Sequence, residues 1–478
     1  MTVGWYAPFV LIVCLGLWFR GSILGSVIAV LFFSLFGGGA AFILGGANIQ
    51  PTYLALVFLL AHLLLSMFNR SSHANLGLKT NGYLAFFCIY GAYTAFVLPK
   101  IFFKQMEVPP VSINNAFIYY TAPLAPSSQN LTTALYLVAT LVASICAGAA
   151  TLDPKSRRTL VQWAVIMAWI HIGFGVFGVI VTKIGQGHIL SFFRNAHYAE
   201  LTETTGGFLR ITGVFPEPSA YGDYAVQWFA LMVELWLRGV NARWTGRTAA
   251  ALLVMLAACT SSSAYFGLGA YLFVVGVRWA LAPNGLRTRN LVIIGFAGLT
   301  AMFVAAALIA LSPDIATAVS HIIQNATARK LQSQSGVQRL FWVKAGFQAF
   351  IVSRGLGVGA GSFRCSSLIV SILGSTGVIG TVAFLAHVIK ILRPLRAQTY
   401  RLKGIQDPVG VSFAWAACAG MLPAMVSAPT PDPSITFAIF GGLSLGWRYL
   451  SEGDQPLFSR AATAKAQPVA EATQPVTV

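Results

Sequence analysis

Charged residues are scarce in this chain, and acidic residues are the scarcest. Only 9% of its 478 residues are charged, with 13 Asp and Glu against 31 Lys and Arg, whereas about a quarter of an ordinary soluble domain is charged. This shortage excludes a water-soluble globule. The net charge of +18 would raise the question of nucleic acid in a soluble protein. Here, basic loops that set membrane topology explain most of it, so no nucleic-acid partner is expected.

The chain also lacks a cysteine framework and a metal-binding motif. Its six cysteines are scattered, and no two of them form a Cys-x-x-Cys pair. Five lie in apolar runs, so we interpret them as small packing residues. The spacing of His188, His197 and His321 does not resemble a zinc triad. The sequence therefore predicts no disulfide, no metal and no cofactor.

Long apolar runs are what the chain has instead, with 56% hydrophobic residues. A bilayer core needs about 20 apolar residues per helix. Runs of that kind lie near residues 5–19, 23–46, 52–68, 82–103, 131–150, 159–184, 219–237, 248–261, 264–281, 290–311, 366–389, 409–427 and 434–449. They predict an all-α polytopic membrane protein with about 13 transmembrane helices (12–14) and a single transmembrane domain over residues 1–450. Residues 451–478 are rich in Ala, Thr, Gln and Pro and predict a disordered cytoplasmic tail.

The distribution of Lys and Arg predicts the orientation of the spans. Cytoplasmic loops carry an excess of these residues, and most of them fall inside if the N-terminus is outside. Three long segments then lie outside, at about 104–130, 185–218 and 312–365. The segment 185–218 is predicted as a periplasmic loop and 312–365 as a large periplasmic segment.

The external segment 312–365 is cationic, against the usual bias. Its basic residues are Arg329, Lys330, Arg339, Lys344, Arg354 and Arg364, against the single acid Asp314. A guanidinium group binds phosphate bidentately, through two parallel N–H···O hydrogen bonds, so a cluster of such groups favours a polyanionic ligand. At an outer membrane face a lipid-linked pyrophosphate is the natural small polyanion. Alternatively, these side chains extend to lipid headgroups or pair with carboxylates of the 185–218 loop.

Glu217 stands directly before Pro218, a residue that suits the first position of a helix. In one interpretation Glu217 caps the following span and interacts with the helix dipole. In the other it is a base that orients or deprotonates a hydroxyl group at the membrane surface. Both interpretations can hold together.

Glycine occurs at every second position from Gly355 to Gly361, just before Arg364. Such glycines let the backbone approach a ligand and present N–H groups, so the segment predicts an anion cradle. A re-entrant turn that leads into the next span is the alternative. Residues 260–263, Thr-Ser-Ser-Ser, predict a tight hairpin with no charge near it.

Several of these motifs resemble the O-antigen polymerase and ligase superfamily. They are Arg-x-x-Gly-x-Phe-x-Glu-Pro-Ser at 210–219, Arg-x-x-Trp at 339–342 and the glycine run that ends in Gly-Ser-Phe-Arg at 361–364. The form Gly-Ser-Phe-Arg-x-Ser-Ser-Leu at 361–368 looks most like Wzy-type polysaccharide polymerases. Ligases commonly have a His shortly after the glycine-rich segment, where this chain has Ser366 and Ser367, which favours a polymerase.

The resemblance implies an inverting glycosyltransferase of the bacterial inner membrane, with its active site on the periplasmic side. It would polymerise oligosaccharide repeat units carried on undecaprenyl diphosphate, without metal or nucleotide, among membrane lipids and with a chain-length regulator and a flippase as candidate partners. Arg210, Arg339 and Arg364 would hold the diphosphates, and Glu217 or an external His would act on the acceptor hydroxyl. The predicted substrate-binding residues are Tyr221, His321, Lys344, Arg354, Gly357, Gly359, Ser362 and Ser366.

The sequence leaves two alternative functions open. One is an O-antigen ligase that transfers glycan to lipid A–core. The other is a flippase for lipid-linked oligosaccharides. Transporters usually place ionisable groups near the bilayer midplane, whereas the acids of this sequence fall in predicted loops or near predicted span ends.

Overall fold

A computed structural model of the chain describes residues 2–44, 47–69, 71–111, 119–196, 204–205, 208–281, 334–393 and 407–453. Several predictions fall outside these ranges. They concern the span at 290–311, His197, His321, Arg329, Lys330 and nearly all of the tail 451–478.

Within the described ranges the chain is mostly helical. The helices are α1 Tyr6–Phe19, α2 Ile23–Phe33, α3 Pro51–Asn69, α4 Ser71–Thr80, α5 Gly82–Ile101, α6 Ser128–Ala150, α7 Ser156–Lys183, α8 Leu190–Phe193, α9 Pro218–Leu237, α10 Ala242–Ala258, α11 Ser262–Leu281, α12 Gln334–Val352, α13 Leu368–Leu392, α14 Pro408–Ala424 and α15 Ile435–Gly453. A 3₁₀ turn, Gly187–Ile189, precedes α8.

Four of these helices, α5, α6, α7 and α13, are long and apolar enough to cross a membrane. Shorter apolar helices lie at Tyr6–Phe19, Ile23–Phe33, Pro51–Leu65 and Pro408–Ala424. The structure therefore supports a largely helical membrane protein with several spanning segments.

Short antiparallel strands connect some of the helices. The strands are β1 Thr2–Val3, β2 Phe42–Leu44, β3 Ala47–Ile49, β4 Glu107–Val108, β5 Ala122–Pro123, β6 Thr204–Thr205 and β7 Phe208–Leu209. β2 lies between β1 and β3, β4 pairs with β5, and β6 pairs with β7. In the first sheet Val3 is opposite Phe42 and Ile43 is opposite Asn48.

The predicted span at 23–46 is wrong in its second half. Helix α2 ends at Phe33, and residues Phe42–Leu44 and Ala47–Ile49 form β2 and β3. Three consecutive glycines, 37–39, follow α2, and glycine is a poor helix former. A Cβ on Gly39 would lie 2.5 Å from the ring of Tyr6, so this stretch allows close packing against α1.

Helix α9 occupies the centre of the described bundle. It contacts α10, α11 and α14, and Trp228, at its middle, is fully buried. Pro218 takes its first position, where a missing N–H costs nothing. The polar residues at the beginning of α9 are therefore held in a fixed position next to the ends of several other helices.

Candidate functional site

Three of the predicted arginines meet at the beginning of α9. The charges of Glu217 and Arg339 both act on Arg364, and the same two charges act on Asp223. Arg210 binds Thr260 in the turn between α10 and α11, and Ser263, three residues later, donates a hydrogen bond to Asp223. We call Arg210, Glu217, Asp223, Arg339 and Arg364 the arginine–carboxylate cluster.

Arg364 is the most constrained of the three arginines. Its guanidinium lies over the ring of Trp342, 4.4 Å from the centroid, and Nη1 donates to the carbonyl oxygen of Val111 at 3.0 Å. Its Nε is buried and has no hydrogen-bond partner in the structure. Burial lowers the pKa of Arg364 from its ordinary value, while Glu217 raises it and Arg339 lowers it. The site therefore holds a partly desolvated cation with a donor to spare.

Arg339 lies three residues before Trp342 on α12, and residues at this spacing share a helix face. Its Nη1 donates to the carbonyl oxygen of Val426 at 3.3 Å, in the turn after α14. One face of α12 thus presents Arg339 beside the tryptophan that supports Arg364. Two guanidinium groups in close proximity repel each other, and a shared anion would relieve that repulsion.

Arg210 binds the turn between α10 and α11. Its Nε donates to Thr260 Oγ1 and its Nη2 to the Thr260 carbonyl oxygen, each at 3.2 Å. Thr260 has a φ of 50°, in the left-handed region. The guanidinium therefore stabilises an unfavourable turn and remains beside the serines that follow it.

Glu217 is exposed at the N-cap position of α9. It has an extended backbone, but its side chain makes no capping hydrogen bond to the helix. Instead, Ser219 Oγ donates to Glu217 Oε1. Glu217 is thus the N-cap residue of α9 through its backbone, whose carbonyl oxygen accepts the N–H of Tyr221 at 3.2 Å. Its carboxylate makes no cap and lies near the cationic groups.

Asp223 is a member of the cluster that sequence reasoning missed. Its two carboxylate oxygens accept hydrogen bonds from Ser263 Oγ and Ser427 Oγ, each at 2.8 Å. In the sequence, Asp223 could have been noticed only as an acid inside a largely apolar predicted span, where an ionisable residue is energetically unfavourable and commonly functional. The serine hairpin therefore does have charges near it, contrary to the prediction.

The glycine run does not form the predicted anion cradle. Gly355, Gly357, Gly359 and Gly361 all have φ between 81° and 102°. The backbone N–H of Gly357 donates to Ser353 Oγ at 2.8 Å, and that of Gly359 donates to the Ser375 carbonyl oxygen at 3.0 Å. A Cβ on Gly361 would lie 2.4 Å from the Gln129 carbonyl oxygen. The amides of Gly357 and Gly359 thus have protein acceptors, and the run packs against α6 and α13.

The glycine run also explains a break in α13. Gly377 has non-helical angles within this helix, and the N–H of the next residue, Val378, donates to the Gly355 carbonyl oxygen at 3.0 Å. The run therefore matches the alternative interpretation, a re-entrant turn that feeds the next helix. Its contribution to the site is to hold Arg364 in place.

Three other predicted ligand residues face the protein interior. Ser362 Oγ donates to the Val358 carbonyl oxygen at 3.0 Å and accepts from Asn130. Ser366 is 3% exposed. Tyr221 is fully buried and stacks on His171, with ring centroids 4.1 Å apart. The structure gives these side chains packing roles, because α9 and the glycine run are enclosed by neighbouring helices.

Lys344 and Arg354 lie away from the cluster. Lys344 is exposed and follows Trp342 by two residues, which turns it about 200° around α12. Arg354 is exposed just beyond the far end of α12, and its twelve-residue separation from Trp342 corresponds to about 18 Å along a helix. The cationic segment is thus divided, and only Arg339 and Arg364 of its described residues join the site.

The donor set of the site suits an anion and a hydroxyl group better than a metal. Among the described residues no group of three or more His, Cys, Asp or Glu is placed to hold a metal ion. Comparisons of the chain with protein families, with curated proteins and with solved structures gave no match.

Proposed function

We propose that the protein is a metal-independent membrane glycosyltransferase that polymerises undecaprenyl-diphosphate-linked oligosaccharide repeat units. The observation that carries this proposal is the meeting of Arg339 and Arg364 with Glu217 and Asp223 at the beginning of α9. These residues come from separate elements, and Arg210 reaches the same place through Thr260.

In the proposed topology about thirteen helices cross the inner membrane and the cluster faces the periplasm. The opposite end of α9 and the helix that follows it carry Arg238, Arg243 and Arg247, as expected of a cytoplasmic loop. Lipid-linked donor and acceptor would both reach the cluster sideways from the bilayer.

The diphosphate is the leaving group, and the positive charges of the arginines stabilise it as it departs. Arg339, Arg364 and Arg210 would bind its oxygens and stabilise the negative charge that grows during departure. The acceptor hydroxyl oxygen attacks the anomeric carbon as the bond from that carbon to the diphosphate oxygen breaks. The electron pair leaves with the diphosphate, the hydroxyl proton passes to Glu217, and the anomeric centre inverts.

Purified protein in lipid nanodiscs, supplied with the lipid-linked repeat unit of its own bacterium and with EDTA, tests the proposal. We expect a ladder of products that Arg339→Ala abolishes. Lys344→Ala, on the same helix but on another face, is the matched control and should retain the ladder. A missing ladder for the wild-type protein would contradict the polymerase. In a parallel reaction that also contains lipid A–core, transfer to that acceptor without a ladder would identify a ligase.

A lipid-linked oligosaccharide transporter is a second candidate, because an acid from the turn between α14 and α15 contacts the middle of a helix that could cross the membrane. Asp432 accepts a hydrogen bond from Thr140 at 2.6 Å, and Thr140 is near the middle of α6. Transporters usually place ionisable groups at this depth. Movement of the labelled lipid across proteoliposomes, with no ladder in nanodiscs, would favour the transporter.

A further inference from the structure

The turn between α14 and α15, residues 425–434, begins at the arginine–carboxylate cluster. The Val426 carbonyl oxygen accepts from Arg339 and Ser427 Oγ donates to Asp223. The Pro429 carbonyl oxygen accepts the backbone N–H of Cys365 at 3.0 Å, next to Arg364. The first half of this turn is thus part of the cluster.

The second half of the same turn carries Asp432 to the middle of α6. The Asp432 carboxylate accepts from Thr140 Oγ1 at 2.6 Å and from the backbone N–H of Ser434. No cation is paired with it among the described residues. An unpaired carboxylate beside the middle of an apolar helix is costly, and such residues commonly serve a function.

The Asp432 side chain is half-buried, and Ser434, two residues later, is exposed. An ionised carboxylate has about four acceptor positions, and the contacts to Thr140 and Ser434 use two. The remaining positions can accept hydrogen bonds from hydroxyl groups.

Aromatic rings next to Asp432 add the second element of a sugar site. Tyr136 is close enough for the charge of Asp432 to act on it, and it stacks on Tyr53 with centroids 4.8 Å apart. Rings of this kind offer an apolar surface together with a polar hydroxyl. A metal cation is disfavoured, because no group of three or more metal-ligating side chains occurs among the described residues.

We infer that Asp432, Thr140 and Tyr136 form a glycan subsite that binds hydroxyl groups of the sugar chain whose diphosphate lies at the cluster. This inference rests on the proposed function. The five-residue separation between Ser427 and Asp432 limits the distance between their Cα atoms to about 18 Å. One lipid-linked saccharide can therefore contact both ends of the turn. Asp432 positions the chain and takes no part in the bond-breaking step.

Binding and kinetics together test the subsite. The binding probe is the lipid-free repeat-unit oligosaccharide released from the bacterium's own polysaccharide, titrated by NMR against protein in nanodiscs. We expect Asp432→Asn to weaken binding roughly tenfold or more, because acceptor positions for hydroxyl groups are lost. In the polymerase assay the same variant should raise KM by a similar factor with kcat within about twofold. Asp153→Asn, in the turn between α6 and α7, is the matched control.

The two readouts separate this inference from the proposed function. Unchanged binding and an unchanged KM in Asp432→Asn would overturn the subsite while leaving the polymerase intact. Oligosaccharide binding that depends on Asp432, in a protein that makes no ladder, would support the subsite and reject the polymerase. Normal oligosaccharide binding in Asp432→Asn, with loss of lipid movement across proteoliposomes, would overturn the subsite in favour of transport.

Discussion

Replacing Arg364 by lysine keeps the positive charge and removes the planar fork. In the wild-type protein the guanidinium lies over the ring of Trp342, 4.4 Å from its centroid, and donates to the Val111 carbonyl oxygen, and its buried Nε has no hydrogen-bond partner among the described residues. A lysine ammonium is a compact point charge and cannot reproduce both the stacking and the paired donors. We therefore expect Arg364→Lys to fail almost as severely as Arg364→Ala.

The expected loss of rate follows from the proposed role of Arg364, which is to stabilise the departing diphosphate. Loss of one preorganised donor to a developing anion costs about 2–4 kcal/mol of transition-state stabilisation. That cost corresponds to roughly 30- to 1,000-fold in rate at 25 °C. Because Arg364 is partly buried, salt should screen this loss only weakly.

The assay is the product ladder in nanodiscs, timed at saturating lipid-linked substrate, with protein abundance checked in parallel. Lys344→Ala controls for loss of a positive charge on α12. Wild-type rates in Arg364→Lys at normal abundance would refute the fork. Wild-type rates in Arg364→Ala as well would remove Arg364 from the site.

Substitutions at Glu217, Glu234, Gly361 and Tyr120 test other parts of the structure. Glu217→Gln should lower turnover about 10²- to 10⁴-fold, because the general base is lost. Protein abundance should not change, because the Glu217 side chain does not cap the helix; polymer synthesis at the wild-type rate would exclude the base role. Glu234→Gln should lower the free energy of unfolding by about 3–5 kcal/mol in denaturant titrations, since two buried arginines lose their carboxylate; an unchanged midpoint would show that the ion pairs are not needed. Gly361→Ala should destabilise the fold by about 1–3 kcal/mol, because a φ of 81° favours glycine and a Cβ would lie 2.4 Å from the Gln129 carbonyl oxygen; a normal melting temperature would contradict the close packing. A cysteine at Tyr120, in an otherwise cysteine-free protein, should react with an impermeant thiol reagent in intact cells, and labelling only after lysis would reverse the proposed topology.

The beginning of α9 shows how far the sequence could predict the site. Pro218 begins the helix as its residue type indicated, because its fixed φ and missing N–H suit that position. The resemblance also led us to expect Arg210, Arg339 and Arg364 together. In the structure Glu217 and Arg339 both act on Arg364, and Arg210 binds Thr260, three residues before the serine that donates to Asp223. Their roles in binding diphosphate stay a prediction.

The sequence could not predict which side chains of α9 face the arginine–carboxylate cluster. Tyr221 and Asp223 are two residues apart, yet Tyr221 packs on His171 while Asp223 binds two serines from other elements. Helix α9 is surrounded by other helices, so no polar stripe marks the face that looks toward the site. Only tertiary contacts decide which of the two residues enters the cluster.

The alternating glycines allowed two different structures. Left-handed glycines can expose amides to an anion or allow backbone to approach backbone. Here Gly357 and Gly361 lie against the carbonyl oxygens of Ser375 and Gln129, and these contacts join residues far apart in the chain. A local pattern carries no information about such partners. The same reason explains the failed span at 23–46, where apolar residues alone could not distinguish strand from helix.

Cryo-electron microscopy of the protein in nanodiscs with undecaprenyl diphosphate would show whether the arginine–carboxylate cluster binds a diphosphate. We expect diphosphate density between Arg339 and Arg364, with guanidinium nitrogens about 2.7–2.9 Å from phosphate oxygens and with Arg210 and Glu217 beside it. Diphosphate density at another place, with the cluster unchanged, would rule out the cluster as the diphosphate site.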